Sequence, residues 1–329
     1  MQSSQENNKP PNHGSETRPF APFVAETLEV EADDGFYNPS VSYNEKCNLI
    51  IACPADKSVQ FYDATTLLPS EEFETLDLEN EVKAMSFCED TETFLFGCKN
   101  GSFYTFNLSN KILQKLERSV EAHISRGVWI NSSYYAYSAW GSYQLHMGNL
   151  ENGDLFHFPM ERSDIFDFRS LPKRNLLFSS LNDGSVIIYR TDRLPKLPIL
   201  CSIKGNGGVS RTLESVTINK KDFMLTAKYG STVEVWHLTK GRMRRLKVIQ
   251  MQEEIEVYCT VYFENYKMVA TVHGTEEVRF WRLFSGKLEW RLDVEMNECF
   301  HSFLMKDKNA MGVVDWGPKL IKIVQLNSV

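Results

Sequence analysis

A short phrase recurs seven times along this chain of 329 residues. Its clearest copy spans residues 175–190, where an apolar run, an Asn-Asp-Gly turn and a second apolar run ending in Tyr189-Arg190 follow one another. Two such runs across an Asx-Gly turn predict a β-hairpin. The turn positions recur every 40 to 46 residues, and they are Lys57, Gly101, Gly141, Gly184, Gly230, Gly274 and Gly317. This near-constant period predicts one repeat architecture.

Each repeat contains more strand candidates than the hairpin alone. A fourth strand follows most hairpins, as at residues 287–292. A further strand precedes each hairpin, at residues 40–43, 82–87, 127–130, 165–168, 214–218, 257–263 and 300–305. Four short strands in each of seven units, with no long helical pattern, predict an all-β chain folded as a seven-bladed β-propeller.

The ring also needs a closing strand, because an unpaired last blade would leave an open sheet edge. The last hairpin ends near Val324, so we expect the outer strand of blade seven to come from the N-terminal segment. Residues 23–31 alternate between apolar and polar, with Leu28 and Val30 on one side. We therefore predict a disordered tail over residues 1–22, rich in Ser, Asn, Pro and Gln, and a single propeller domain over residues 23–329.

Several of these residues also resemble a known family. The Asp-Gly-Ser-Val turn at 183–186 and the strands ending in Val-Trp-His-Leu (235–238) and Phe-Trp-Arg-Leu (280–283) look like the WD40-repeat signature, over roughly residues 23–326. No repeat carries the Trp-Asp pair or the opening Gly-His dipeptide of that family. The chain thus resembles a divergent WD40 member whose bracing tetrad of His, Ser/Thr, Asp and Trp is incomplete. We expect apolar packing to hold the blades together instead.

Composition and charge restrict the partners. The net charge of −7 argues against nucleic acid as a direct ligand. The seven cysteines include no Cys-x-x-Cys pair, which favours reduced thiols inside a cell, in the cytoplasm or the nucleus. No apolar stretch approaches the ~20 residues of a membrane span. We expect a soluble intracellular protein with buried thiols.

Catalytic signatures are weak. The Gly205-Asn-Gly207-Gly208 run lacks the following Lys-Ser/Thr of a phosphate-binding loop and precedes a strand. The seven histidines show no metal-ligand spacing, and no Gly-x-Ser-x-Gly elbow exists. We therefore predict no enzyme activity, no metal and no cofactor.

Two charged runs remain, an acidic one at residues 71–81 and a basic one at residues 240–247. The simplest interpretation is a solvated loop and a solvated outer strand. The basic run would alternatively suit an acidic protein or a phosphoinositide headgroup. Against the headgroup, Arg244-Arg245 is followed by Leu246 where phosphoinositide-binding propellers carry Gly.

The residue before each turn position is unusual. A WD40-like turn carries a small Asp or Asn there, and Asx residues suit turns because they form local hydrogen bonds. This chain has Asp56, Asn100 and Asp183 in three repeats but aromatic rings in the other four. Aromatic and basic residues concentrate binding energy at interfaces. We predict a partner-binding surface formed by Trp140, Arg211, Lys228, Tyr229, His273 and Trp316. Alternatively, the rings lie flat on neighbouring blades and replace the missing tetrad.

The WD40 resemblance implies a non-enzymatic scaffold that binds proteins or peptide segments, as a monomeric propeller within a multi-subunit complex. One alternative is a substrate receptor of a cullin-type ubiquitin ligase. Such receptors carry Trp-Asp-x-Arg, whereas this chain has Trp-His-Leu-Thr at 236–239 and Trp-Arg-Leu-Phe at 281–284. A second alternative is a propeller hydrolase that uses the mouth of the channel as its pocket.

Overall fold

Seven small antiparallel sheets form this protein. The computed structural model describes residues 20–30, 40–54, 57–116, 123–160, 163–205, 210–228, 232–239, 241–251, 256–274, 276–296, 299–315 and 320–328. Within these residues, 28 strands form seven four-stranded sheets, and the helical elements are the single 3-10 turns Pro172–Arg174 and Lys306–Lys308. The chain is a seven-bladed β-propeller, as the repeat predicts.

The first four blades follow chain order from the channel outwards. Blade one contains β2 (Ser40–Asn44), β3 (Leu49–Cys53), β4 (Ser58–Asp63) and β5 (Leu76–Asp77). Blade two contains β6 (Val82–Cys88), β7 (Thr93–Cys98), β8 (Phe103–Asn107) and β9 (Ile112–Lys115). Blade three contains β10 (Ile124–Trp129), β11 (Tyr134–Ala139), β12 (Gln144–Asn149) and β13 (Leu155–Pro159). Blade four contains β14 (Ile165–Leu171), β15 (Leu176–Leu181), β16 (Val186–Arg190) and β17 (Ile199–Ile203).

The remaining blades complete the ring. Blade five contains β18 (Ser210–Ile218), β19 (Lys221–Lys228), β20 (Thr232–Thr239) and β21 (Arg242–Gln250). Blade six contains β22 (Val257–Phe263), β23 (Met268–His273), β24 (Glu277–Arg282) and β25 (Leu288–Asp293). Blade seven contains β26 (Cys299–Met305), β27 (Ala310–Asp315), β28 (Leu320–Ser328) and β1 (Phe20–Glu29). The first strands of successive blades contact one another, and β2 contacts β26, so the inner strands enclose a channel.

The N-terminal strand closes blade seven. β1 pairs antiparallel with β28, with Leu28 opposite Ile321. Leu28 is 3% exposed and packs in a cluster with Ile321 and Val314. The predicted closure is therefore confirmed, although the strand begins at Phe20, so residues 20–22 belong to it rather than to the tail. The rest of the predicted tail, residues 1–19, lies outside the described residues.

Apolar side chains between neighbouring blades form the core. Between blades one and two, the rings of Phe61 and Phe106 have centroids 5.5 Å apart, and Phe94 stacks on Phe96 at 5.8 Å. Burial of one such ring stabilises the fold by about 1.5–3 kcal/mol. The seven sheets are separate from one another and their strands are short. Packing between the sheets is therefore what holds the blades together as a rigid ring.

The hairpin turns of blades two and four have the predicted Asx chemistry. Asn100 Oδ1 accepts a hydrogen bond from the Ser102 backbone N–H at 3.1 Å, and Asp183 Oδ1 accepts one from Ser185 at 2.8 Å. The turn position itself has a positive φ, namely 77° at Lys57, 85° at Gly101, 72° at Gly141 and 80° at Gly184. The left-handed backbone that glycine tolerates is thus required at these turns.

Both charged runs lie at the surface, as the simplest interpretation predicts. Glu71, Glu72 and Glu74 are exposed in the segment between β4 and β5. The basic residues at 242–247 lie on β21, the outer strand of blade five, where Arg245 pairs with Glu234 at 3.0 Å. All seven cysteines fall in the described part of the chain, and none takes part in a disulfide bond. Over the residues described, no helix has the length and apolar character to cross a membrane.

Candidate interaction surface and central channel

The propeller has two distinct faces. We call upper the face at which the second strand of each blade ends and the third strand begins, and its fully described turns are at residues 99–102, 140–143 and 182–185. The lower face carries the turns between the first and second strands. Of the predicted aromatic positions, Trp140 lies in one of these turns and His273 lies at the end of the strand β23.

Trp140 stands out on the upper face. Its side chain is 75% exposed, and Tyr143 in the same turn is 51% exposed. Neither ring stacks on another aromatic ring within the described portion of the chain. The Trp140 backbone N–H donates to the His123 carbonyl at 2.9 Å, and the Met160 N–H donates to the Tyr143 carbonyl at 2.9 Å. Two large rings thus project from a turn whose backbone is held in place.

His273 has the opposite environment, and the prediction that it forms part of an exposed surface is wrong. It is 0% exposed, at the end of β23. Its Nε2 lies 2.8 Å from Thr271 Oγ1, which also accepts a hydrogen bond from the Trp281 indole N–H at 2.9 Å. These three side chains form a buried polar chain inside blade six. The alternative placed these rings flat on neighbouring blades in place of the missing tetrad, whereas the contacts of His273 with Thr271 lie within blade six itself.

His273 is buried because the upper turn of blade six is shorter than the upper turn of blade three. Four residues, 140–143, connect β11 to β12 in blade three, whereas three residues, 274–276, connect β23 to β24 in blade six. His273 pairs with Val257 across the sheet as Ala139 pairs with Ile124. The structural counterpart of Trp140 is therefore Gly274. Because side chains alternate between faces along a strand, a shift of one residue changes their environment completely.

The other predicted site residues are only partly placed. Arg211 lies in β18, where the register shifts between Ser210 and Thr212, and Lys228 ends β19 opposite Ser210. Their strands put both residues at the upper end of blade five. Tyr229 and Trp316 lie outside the described residues. The structure does not bring the six predicted residues together as one described surface, and Trp140 is the one whose exposed ring is placed.

The channel contains charged residues that the sequence did not reveal. Arg169 on β14 lies 3.9 Å from Asp167 on its own strand and 4.0 Å from Glu214 on β18. The Leu213 backbone N–H donates to Asp167 at 3.3 Å. Burial raises the pKa of Glu214 to about 7, and the nearby Arg169 opposes this shift. Glu214 comes from a different repeat than Asp167 and Arg169, so no local sequence signal joins the three side chains.

Two further side chains contribute to the channel lining. The His301 Nε2 donates to the Val41 carbonyl at 3.0 Å, across from blade seven to blade one. Burial lowers the pKa of His301 to about 4, and Arg169 and Arg126 lower it further by repulsion. Arg126 donates to the Ser125 carbonyl at 2.8 Å and stacks over the Phe166 ring. His301 is therefore a neutral structural link between blades at physiological pH.

Blade three contains a pair of neighbouring histidines. The Nδ1 atoms of His146 and His157 lie 2.7 Å apart, so one ring donates and the other accepts. His146 Nε2 lies 3.3 Å from Ser142 Oγ. Burial, with a smaller contribution from His157, lowers the pKa of His146 to about 4. An imidazole with this pKa is a weak general base near neutral pH, so this Ser-His-His arrangement is a poor catalytic triad.

Metal ligation has no structural support in the residues that are described. No group of three or more His, Cys, Asp or Glu side chains there is arranged to hold an ion. The described channel carries charged side chains, and the upper face of blade three carries exposed aromatic rings.

Comparison with known proteins supports the fold. A crystal structure of the β-propeller domain of Cps50 (Swd1) from Myceliophteria thermophila superposes with a TM-score of 0.76, covering 94% of this chain and 100% of that domain, at 12% sequence identity. No protein-family model matches the chain, and no curated protein matches it. The likeness thus concerns the β-propeller architecture.

Proposed function

We propose that this protein is a non-enzymatic scaffold that binds protein partners at the upper face of blade three, within a multi-subunit complex. The observation that carries the proposal is the pair of exposed rings, Trp140 and Tyr143, on one turn. The main support from the fold is its rigidity, since seven sheets close into a ring through β1.

An exposed aromatic pair on a fixed turn suits protein recognition. Tryptophan and tyrosine are the residues most often found at the energetic centre of interfaces. The positive φ of 72° at Gly141 and the backbone hydrogen bonds of Trp140 and Tyr143 fix the turn before a partner arrives. Such preorganisation reduces the entropy lost on binding. The turn can therefore present both rings at little further conformational cost.

Two histidines, His146 and His301, and the Cys259 thiol favour a non-enzymatic role. The pKa values of His146 and His301 are lowered to about 4 by burial. Burial raises the pKa of the Cys259 thiol to about 11, far from the thiolate form. None of these groups is an effective base or nucleophile at neutral pH.

We further propose that the chain is a divergent WD40 propeller. The Trp281–Thr271–His273 chain in blade six uses three of the residue types of the family's tetrad, and the repeat length and fold agree with it. The thiols of all seven cysteines suit a reducing compartment, the cytoplasm or the nucleus.

Affinity purification from native extract tests the proposal. We expect the unaltered protein to retain a stoichiometric partner, and the double variant Trp140→Ala, Tyr143→Ala to lose about tenfold or more of its affinity for that partner. The matched control is Trp290→Ala, which removes a ring that is 43% exposed on the outer strand β25. Equal retention by both variants, with unchanged folding, would contradict the proposal.

A further inference from the structure

The outer strand of blade five, β21, is an open edge of its sheet. It runs over nine residues, Arg242–Gln250, whereas the outer strands of blades one, two, three, four and six have two to six residues. β21 pairs with β20 on one side, and among the described residues no backbone hydrogen bond reaches its other side. Such an edge leaves backbone N–H and C=O groups available to another strand.

The basic residues of β21 are concentrated on one face of the blade. Lys247 is paired with Val235 of β20, which packs against blade six. Lys247 also contacts the lower turn of blade six, since a Cβ on Gly286 would lie 2.8 Å from its Cε atom. Arg244 and Arg242 pair with the alternate residues of β20 that follow Val235. Alternate residues of a strand point to the same side, so the three cations share the face towards blade six.

This basic face has no acidic partner in the described part of the chain. Arg242, Arg244 and Lys247 form no ion pair there, and both arginines are exposed. Arg245 differs from them, because it lies on the opposite face and pairs with Glu234 at 3.0 Å. Three uncompensated cations on one strand attract an anionic group.

The spacing of these cations suits an extended chain better than a single phosphate group. A strand rises about 3.3 Å per residue, so Arg242 and Lys247 lie about 15 Å apart along β21. One lipid headgroup cannot contact both ends of such a row. Two apolar side chains of the strand are also exposed, Leu246 at 42% and Val248 at 37%. A second copy of β21 would place like charges opposite one another, which is destabilising.

We propose that β21 binds an extended acidic segment of a protein partner as a fifth strand of blade five. The backbone of the segment forms hydrogen bonds with the open edge, and its Asp or Glu side chains lie beside Arg242, Arg244 and Lys247. Main-chain pairing gives such complexes their affinity, and alternate side chains give them specificity. This site lies on the outer rim of the propeller, away from Trp140 and Tyr143 on the upper face.

Calorimetric titration of the full chain with capped peptides as long as β21 tests the proposal. One peptide alternates Glu with Val, and a second has Gln in place of every Glu. We expect the Glu peptide to bind at least about tenfold more tightly than the Gln peptide. Equal affinities of these two peptides would overturn the proposal.

N-methylated peptides test whether the segment adds as a strand. Two versions of the Glu peptide carry N-methyl groups, one on the amides of its Glu residues and the other on the amides of its Val residues. Alternate residues of a strand direct their N–H groups to opposite sides, so one version should lose binding and the other should keep it. Equal affinities of the two versions would exclude strand addition.

Variants locate the binding. Arg242→Glu and Arg244→Glu should each weaken binding of the Glu peptide by about tenfold, and both positions are exposed, so the variants should fold. Lys173→Glu is the matched control, because it changes the net charge equally at a side chain on blade four that is 94% exposed. Unchanged affinity in both arginine variants, or an equal loss in Lys173→Glu, would contradict the proposal. The double variant Trp140→Ala, Tyr143→Ala should leave this binding intact, which separates it from the upper-face function.

Two further measurements test the other occupants of this edge. The unaltered protein should not bind phosphatidylcholine vesicles that contain phosphatidylinositol bisphosphate. Vesicle binding that Arg244→Glu abolishes would assign the basic face to a headgroup instead. Sedimentation velocity should show a monomer, and a dimer that Arg244→Glu dissociates would make a second copy the occupant. Either result would overturn the proposal.

Discussion

Blades three and six both carry an aromatic residue just before the turn glycine of the repeat, but the two rings have opposite environments. In blade three, the residue before the turn glycine is Trp140, 75% exposed. In blade six it is His273, 0% exposed and 2.8 Å from Thr271. Blade three presents its aromatic ring to solvent, whereas in blade six the His273 ring is buried and contacts Thr271 on its own strand, β23. The turn of blade six is one residue shorter than that of blade three, and this leaves His273 inside its strand and buried, while Trp140 lies in the turn and is exposed.

The two blades are also stabilised differently at the same level. Thr271 in β23 is matched in β11 by Tyr137, since each lies two residues before the end of its strand. Tyr137 stacks on His146 at a centroid distance of 4.8 Å instead of joining a chain of hydrogen bonds. Blade three therefore depends on neutral stacked rings, whereas blade six depends on a polar chain. This contrast leads to four predictions, taken in order of decreasing effect on stability.

The largest expected effect is a loss of unfolding free energy at acid pH that originates in blade three. His146 is 8% exposed, and its pKa is lowered from 6.5 to about 4 in the folded protein. The unfolded chain therefore binds more protons between these pH values. The contribution of neutral His146 to the free energy of unfolding is therefore complete above pH ~6.5, and it is lost as the pH falls towards ~4. It is worth on the order of 3 kcal/mol.

Urea denaturation at pH 7 and pH 4 tests this effect. In His146→Phe, which keeps an aromatic ring on Tyr137, the loss of unfolding free energy between the two pH values should be smaller than in the unaltered protein. The same loss in both proteins would show that His146 does not cause it.

A somewhat smaller effect is expected from the polar chain of blade six. Thr271→Val removes the acceptor of the Trp281 indole N–H and should lower the free energy of unfolding by about 2 kcal/mol. Thr271→Ser keeps the hydroxyl and should cost about half as much. Tyr137→Phe is the counterpart in blade three, and it should cost less than Thr271→Val because the Tyr137 hydroxyl has no partner among the described residues. If Thr271→Val and Tyr137→Phe lowered the free energy of unfolding equally, the two blades would not differ in how they are stabilised.

Substitution of the turn glycines Gly141 and Gly274 by Ala should destabilise the protein for different reasons. A Cβ at Gly274 would lie 2.6 Å from the Tyr258 ring, whereas a Cβ at Gly141 would meet nothing within 4 Å but would sit at a φ of 72°. Each Gly→Ala substitution should cost about 1 kcal/mol, measured by thermal denaturation. Tyr258→Leu should relieve the cost at Gly274 and leave that at Gly141 unchanged. A cost at Gly274 that persists in the Tyr258→Leu background would exclude steric contact as its cause.

The smallest effect on stability is expected at Trp140. Because its ring is 75% exposed, Trp140→Ala should change the free energy of unfolding by less than about 0.5 kcal/mol. Chemical denaturation measures this directly. A loss of 2 kcal/mol or more would mean that the ring packs on a neighbouring blade, as the alternative interpretation holds.

The strand predictions illustrate how far sequence patterns extend. The inner strand of blade six matches its prediction at residues 257–263, whereas β10 begins at Ile124 instead of residue 127 and β18 at Ser210 instead of residue 214. A register shift does not explain the difference, because the strand at 257–263 has one as well, between Val257 and Cys259. The residues that were missed are mainly polar, such as Ser125-Arg126 and Ser210-Arg211-Thr212, whereas the strand of blade six begins with Val257. Polar residues contribute little to the apolar pattern that identifies a strand.

The candidate sites were harder to predict than the strands. The sequence singled out Trp140 because an aromatic residue replaced Asp or Asn in a turn. Tyr143, three residues later, follows the turn phrase and was missed. The charged channel joins Arg169 of blade four to Glu214 of blade five, and His301 of blade seven links to blade one in the same channel. No spacing within one repeat identifies such a set.

The amino-acid sequence by itself determined the number of blades and the closure by the N-terminal strand, because turn chemistry and apolar alternation act over only a few residues and recur in every repeat. Only the tertiary structure decided which rings face solvent and which charges meet in the channel. A turn shorter by one residue moves His273 into the blade, and closing the ring brings together residues that are distant in sequence. Both outcomes depend on strand register and on packing between blades, which local patterns do not encode.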